Sequence, residues 1–357
     1  MNLLKNKVVL LTGAAGTVGR ELIKHILALE PAELRIIDTN ESEVFNLSEE
    51  FGEPYRAYSG SANRPSYRFQ ADVGDVRDPD KVEAVVRGAD VVFHVAGLKH
   101  VVLCERSPFD AVQTNIIGVK NIVNSAITHD IERVIFTSSD KAVNPTSVMG
   151  TSKLMGERLV SAANSMKGNG RTIFSSTRFG NVIGSRGSVV PIFYRQIKAG
   201  GPVTLTDSRM TRFIMTIEDS ARLVLRAAEL AKGGEVFVTK MSVIRIRDLA
   251  EVMIEMLGGG ADIEIVEIGA KAGEKLYEEL MTEEEAGRSK ELQEMFAVLP
   301  AFRHVYSDIE YSYPDVVSEA VQDAYVSSIS EPMSKQDIRD FLETNRIIET
   351  IAKEVTR

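Results

Sequence analysis

The chain has 357 residues, 26% of them charged and 44% hydrophobic, a composition and length that suit one large core with a smaller lobe. Lys and Arg number 42 against 51 Asp and Glu, a formal net charge of -9, which argues against sequence-independent nucleic-acid binding because that rests on neutralising phosphates. A single cysteine, Cys104, excludes an internal disulfide, and neither it nor the five histidines have metal-ligand spacing, so no metal site is expected.

The most apolar N-terminal stretch, Val8 to Leu11, stops at Thr12 and Gly13, far short of the roughly 20 apolar residues of a spanning helix. No membrane partner is expected, and a reducing cytoplasm suits the unpaired cysteine. Lys7 to Leu11 reads as a strand buried on both faces, followed by a helix from Val18 to Leu29. Leu34 to Ile37 gives a second strand, and Glu41 to about Phe51 a second helix. Tyr67 to Ala71, Val91 to Val95 and Arg133 to Thr137 continue the strands. Asp80 to Val86 and Ala111 to Ile127 continue the helices. This alternation predicts an α/β fold with a doubly wound parallel sheet.

After Arg178 the alternation loosens at Gly184, Gly187, Pro191, Gly200, Gly201 and Pro202. Helical patterns at Ile217 to Leu230 and Ile246 to Leu257 flank a short strand, Glu235 to Thr239. Lys335 to Ile348 is again helical. The expected division is a dinucleotide-binding domain over 1–180, to which part of 215–240 returns, and a substrate lobe over 181–290. Residues 291–357 form a C-terminal extension with no functional reading.

Strand one runs into Thr12-Gly13-Ala14-Ala15-Gly16-Thr17-Val18-Gly19. Three glycines spaced three apart, between a strand and a helix, suit a dinucleotide pyrophosphate: the turn is tight, backbone can approach, and the helix N-terminus offers free N–H groups. Gly13, Gly16, Thr17, Val18 and Gly19 are therefore candidate cofactor residues. Asp38, 19 positions after Gly19, ends strand two where a carboxylate would accept from the adenosine ribose hydroxyls. It would repel a 2′-phosphate, and Thr39, Asn40 and Glu41 offer no cation, so NAD is expected over NADP. A helix-capping role for Asp38 is compatible with this. Asp75 and Val76, after strand three, read equally well as an adenine edge or a plain turn. Ala96 and Thr114 complete the expected cofactor set.

Strand five leads into Thr137-Ser138-Ser139-Asp140-Lys141-Ala142, and Met149 and Lys153 share one face of the next helix. By composition alone Asp140-Lys141 is an exposed turn and Met149 a core residue. Here the sequence resembles the extended short-chain dehydrogenase/reductase superfamily, and within it the nucleotide-sugar 4,6-dehydratases of the polysaccharide biosynthesis family that act on N-acetylglucosamine nucleotides. The resemblance rests on Lys99-His100-Val101, Thr114 to Gly118, Ser139 to Pro145, Arg178 to Val182 with Gly184 to Pro191, and Gly273 to Leu276.

The resemblance implies a Rossmann domain, bound NAD, a homo-oligomer and an internal redox cycle. Hydride leaves sugar C4, water is lost across C5 and C6, and the hydride returns to C6. Asp140 would protonate the departing 6-hydroxyl and Lys141 would take the C5 proton. An acid and a base near C6 and C5 are what elimination demands. Lys141 has to be neutral for this, so burial or a nearby cation such as Lys153 is expected to lower its pKa. Met149 stands where the superfamily has a catalytic Tyr, as in some members of this subfamily. That leaves Asp140, Ser139 or water for the 4-hydroxyl proton, with Lys153 on the nicotinamide ribose.

Lys99, Arg186, Arg212 and Lys271 are the expected diphosphate cations. Asn181 would bond the sugar or phosphate and Glu274 the nucleoside ribose. Lys271-Ala272 replaces the family's Arg-Pro, which leaves UDP- and GDP-N-acetylglucosamine both open as substrate. A nucleotide-sugar 4-epimerase and a non-catalytic NAD-binding sensor or scaffold are the competing readings.

Overall fold

The computed structural model describes residues 2–52, 67–185, 187–269, 273–306 and 308–355. Strand β1 (Val8–Thr12) is apolar until its last residue and almost wholly buried. It lies between β2 (Glu33–Asp38) and β4 (Val91–His94), with β3 (Arg68–Val73) outside β2. On the other side β4 pairs with β5 (Arg133–Ser139), β5 with β6 (Ile173–Phe179), and β6 with Val236–Thr239, all parallel. The chain order reverses between β1 and β4, so the crevice at their carboxyl ends is the natural ligand site. Helix α1 (Thr17–Ala28) buries Gly19, Leu22, Ile23 and Ile26, one stripe at helical spacing, against this sheet.

Three antiparallel strands, Met295–Val298, Ser289–Leu292 and Val316–Ser318, widen the sheet to ten. The segment beyond 290 thus contributes to the main sheet. Its two helices, Lys335–Thr344 and Ile347–Val355, instead bury Ile338, Leu342, Ile347 and Ile351 in the apolar core of the second lobe. The helix expected over Lys335 to Ile348 is broken because Arg346 takes a left-handed conformation, φ +50°. The second lobe also holds a three-stranded sheet of Asn181–Val182, Thr211–Met215 and Ser242–Arg245, with helices Val189–Lys198 and Ile246–Leu257.

The helix expected over Ala111 to Ile127 is interrupted by a π-turn, Gln113–Ile117. The extra residue points Asn115 inward. Its Oδ1 accepts from Leu98 N (2.8 Å), and its Nδ2 donates to Leu98 O (3.0 Å) and Ser152 Oγ (2.9 Å). The loop leaving β4 is thereby fixed to the helix Val148–Met166.

Beneath the crevice, Arg178 of β6 is 2% exposed and forms two bidentate pairs, with Glu157 (3.0 and 2.8 Å) and Glu285 (2.8 and 2.8 Å). It also donates to Leu280 O at 2.9 Å. One guanidinium therefore ties β6, the Val148–Met166 helix and the 280–285 segment. Arg178→Ala leaves two buried carboxylates unpaired and is expected to cost about 3–5 kcal/mol, read by denaturant unfolding. Arg178 lowers Glu285 from 4.5 to about 2. The stability this carboxylate adds is full above about pH 4.5 and lost as pH falls toward 2, and the variant should lack that part of the acid profile.

Candidate active site

The carboxyl ends of the strands open into a cleft of about 1510 Å³, large enough for a dinucleotide and a second ligand. Gly13, Gly16, Thr17, Val18, Gly19, Asp38, Asp75, Val76, Ala96 and Thr114 all line it. Gly13 has φ +71°, and a Cβ there would lie 2.6 Å from Ala96 N, so backbone alone forms the floor. Helix α1 starts at Gly16 with no side-chain cap, which leaves its first N–H groups for an anion.

Asp38 braces this turn: Oδ2 accepts from Ala15 N (3.0 Å) and Oδ1 from Asn40 N (3.0 Å). The cap of helix α2 (Glu41–Phe51) is Asn40, not Asp38, because Asn40 Oδ1 accepts from Glu43 N. Asp75 is bonded by its neighbour Arg77, whose Nε donates to Oδ2 at 2.7 Å. Thr12 Oγ1 contacts His94 Nδ1 (2.7 Å) and accepts from Ala96 N (3.2 Å), locking β1 to β4 at the crevice. Burial holds His94 neutral, its pKa down at about 3.

Lys153 is 6% exposed, and its Nζ donates to Thr137 O at 3.0 Å. Only the missing side chain of Gly97 leaves that ammonium room, since a Cβ there would sit 2.7 Å away. Burial lowers Lys153 from 10.5 to about 8, against the pull of Glu157 one turn on. Met149 is 2% exposed and packs with Cys104 and Ala111, while still lining the cleft.

At the end of β5 a single 3₁₀ turn, Asp140–Ala142, carries the charged pair. Asp140 is 1% exposed, and its Oδ1 accepts from Ser139 Oγ (2.6 Å), Lys141 N (2.8 Å) and Lys141 Nζ (3.0 Å). Its Oδ2 is buried with no hydrogen-bond partner among the described residues. Lys141 also reaches Glu278 Oε1 at 3.4 Å. The expectation that Lys141 is pushed down is corrected here. Burial does lower it, but the Asp140 and Glu278 carboxylates outweigh burial and Arg212, and the ammonium is favoured.

Glu278 is the residue that sequence reasoning missed. It stands in Leu276-Tyr277-Glu278-Glu279, which reads as a solvated stretch, yet it is 2% exposed and lines the cleft. No local signal marks it. Ser327, from beyond the expected lobe, accepts from Glu278 N at 2.9 Å and holds it in place.

Of the expected phosphate cations, Lys99 lines the cleft mouth, while Arg186 and Lys271 lie outside the described residues. Arg212 also lines the cleft, but its donors go to Thr211 O (2.8 Å), Leu276 O (3.1 Å) and Lys275 O (2.8 Å). It lies 3.9 Å from Glu274 and 3.6 Å from Glu278, so it organises the 274–278 loop. Asn181 and Glu274 face the same cleft.

A parallel sheet with a glycine turn at its switch point, an acidic end to β2 and a buried lysine on the helix after β5 defines a short-chain dehydrogenase/reductase fold of the extended kind. The chain belongs to the polysaccharide biosynthesis protein family, whose pattern it matches over residues 9–300. It is 48% identical over 304 residues to an uncharacterized membrane protein, MJ1061, of Methanocaldococcus jannaschii, covering 84% of this chain and 87% of that one. No helix among the described residues here is long and apolar enough to cross a membrane. It is 34% identical over 308 residues to a UDP-N-acetylglucosamine 4,6-dehydratase (inverting) of Campylobacter jejuni, covering 86% of each chain. UDP-glucose 4-epimerases of Rickettsia match at 34% over 342 residues, 95% of this chain and 96% of theirs. The chain spans about half the length, 46%, of two further relatives, CapD of Staphylococcus aureus and EpsC of Bacillus subtilis. Among solved structures, Pen from Bacillus thuringiensis superposes with a TM-score of 0.86 at 39% identity, over 97% of this chain and 99% of that one.

Two lysines of one site are thus driven in opposite directions. Acetylation followed by mass spectrometry across pH should give Lys153 a half-point near pH 8. Lys141 should have one above the 10.5 of an ordinary lysine.

Proposed function

We propose that the protein is an NAD-dependent 4,6-dehydratase acting on a UDP- or GDP-linked N-acetylglucosamine and yielding the 4-keto-6-deoxy sugar for surface glycans. One observation carries this reading: an Asp-Lys pair turned into the cleft, with Asp140 Oδ2 buried and unpartnered. An epimerase has no use for an acid and base beside C5 and C6, and a scaffold has no reason to bury an orphan carboxylate oxygen.

The cradle fits a dinucleotide: Gly13 leaves no space for a Cβ and the α1 N-terminus is uncapped, while Asp38, followed by Thr39 and Asn40 rather than a cation, favours a ribose hydroxyl over a 2′-phosphate. NAD held there would supply reversible hydride transfer. Gly13, Gly16 and Gly19 would bind its pyrophosphate and Lys153 its nicotinamide ribose. Lys99, Asn181 and Glu274 would take the nucleotide sugar.

Met149 cannot carry a proton. Ser139 Oγ, already donating to Asp140 at 2.6 Å, gives the 4-hydroxyl proton a path to Asp140. Asp140, so protonated, then delivers it to the departing 6-hydroxyl while Lys141 takes the C5 proton. The expelled water therefore contains the 4-hydroxyl proton and the 6-oxygen with its own hydrogen; Lys141 would give a proton back to C5 as C6 regains the hydride that C4 gave up, and the net loss is one water.

Incubation with either nucleotide should give a product lighter by one water, and NMR in heavy water should find deuterium at C5. An isobaric epimer would instead sink the proposal. Asp140→Asn and Lys141→Met should each slow dehydration by about 10²–10⁴-fold. Gly13→Ala should weaken NAD binding at least about tenfold by calorimetry, since its Cβ would displace the Ala96 backbone.

A further inference from the structure

Lys141 can act as a base only after it loses the proton that the site makes it hold. Asp140 cannot take that proton while it is receiving the one from the 4-hydroxyl. A second acceptor within reach of Nζ is required, and the geometry offers one. Glu278 Oε1 lies 3.4 Å from Nζ, on a strand-and-loop segment unrelated in sequence to the Asp140 turn. Its Oε2 is buried without a hydrogen-bond partner among the described residues, a poor setting for a full negative charge and a tolerable one for a neutral carboxyl.

We infer that Glu278 is the positioning residue that receives the resting proton of Lys141 and so converts the ammonium into the amine that takes the C5 proton. This rests on the dehydratase reading above. One Nζ–H bond breaks and one Oε1–H bond forms, with no change of oxidation state. Once Lys141 has given a proton back to C5 at the end of the turnover, the proton on Glu278 returns to it.

The surroundings favour this exchange. Glu278 faces Asp140 and Lys141 from the 3₁₀ turn, Arg212 from Thr211–Met215, and Lys275 from its own loop. Glu274 lies 3.9 Å from Arg212 Nη2, and Ser327 bonds the Glu278 backbone, accepting from its N–H and donating to its carbonyl. Burial and Asp140 raise Glu278 against the pull of the three cations. A substrate that fills the cleft removes water from the Lys141–Glu278 pair, and loss of solvent favours the neutral pair over the ionic one. Substrate binding itself would then arm the base.

The test is Glu278→Gln, which keeps shape but cannot accept the proton, with Glu278→Asp as the conservative variant. In protein without ligand, Glu278→Gln should lower the acetylation half-point of Lys141 by about one pH unit or more, because a carboxylate at hydrogen-bonding range is gone. Lys153 should not move. With nucleotide sugar in a single turnover, water loss should slow at least about tenfold while reduced-nicotinamide absorbance forms at close to the normal rate. Glu278→Asp should recover part of both.

An unchanged Lys141 profile overturns the inference, as does an equal loss of oxidation and elimination. If Glu278→Gln does not fold, the aspartate variant and the wild-type Lys141 profile decide, and an ordinary half-point for Lys141 is the refuting result. Wild-type protein that binds NAD but never releases water would refute the dehydratase reading itself. The labelling shift would still report whether Glu278 governs Lys141.

Discussion

A guanidinium shut away from water persists only where its charge is fully matched, and Arg178 is matched by two carboxylates from distant parts of the chain. The pairing is costly to break, so it fixes where those parts lie. Glu157 belongs to the helix that carries Met149 and Lys153. Glu285 belongs to a turn that follows the Glu278 segment by a few residues and is capped by Thr282. One buried ion triad therefore sets the distance between Lys153 and Glu278. It needs no contact with ligand to do so.

Above that triad the cleft divides into two electrostatic neighbourhoods. Lys153 is packed among Phe136, Gly97 and the Thr137 carbonyl, where burial prevails and the neutral amine gains. Lys141 sits between two carboxylates, where their field prevails and the ammonium gains. The same residue type is thus held in two protonation states, which in the proposed function would serve a cofactor ribose and a base that must first be discharged. The overall charge of -9 does not decide this; burial and the nearby charges around each lysine do.

The C-terminal third is less of an appendage than its loose patterning suggests. Its strands extend the main sheet, Tyr311 and Tyr313 donate to Gly233 O and Glu235 from above, and Ser327 supports Glu278. Its last helices complete the apolar core of the second lobe. Segments that read as charged and punctuated by proline bury few residues each, but each buries them at a place the earlier elements leave open.

Local pattern was enough for the glycine turn, the strand-helix alternation, and the placing of Asp140 and Lys141 at a strand end with Lys153 on the next helix, because those follow from nearest-neighbour backbone physics and from what parallel strands present at their carboxyl ends. Sequence could not give the break at Arg346 or the π-turn that aims Asn115. The protonation of Lys141 was also out of reach, and it turned out opposite to expectation. A pKa depends on what lies within a few ångströms, and Glu278 is 137 residues away along the chain from Lys141 but 3.4 Å away across the cleft. The tertiary fold alone decided that contact, since the Glu278 segment meets the Asp140–Ala142 turn only by packing back onto the main sheet.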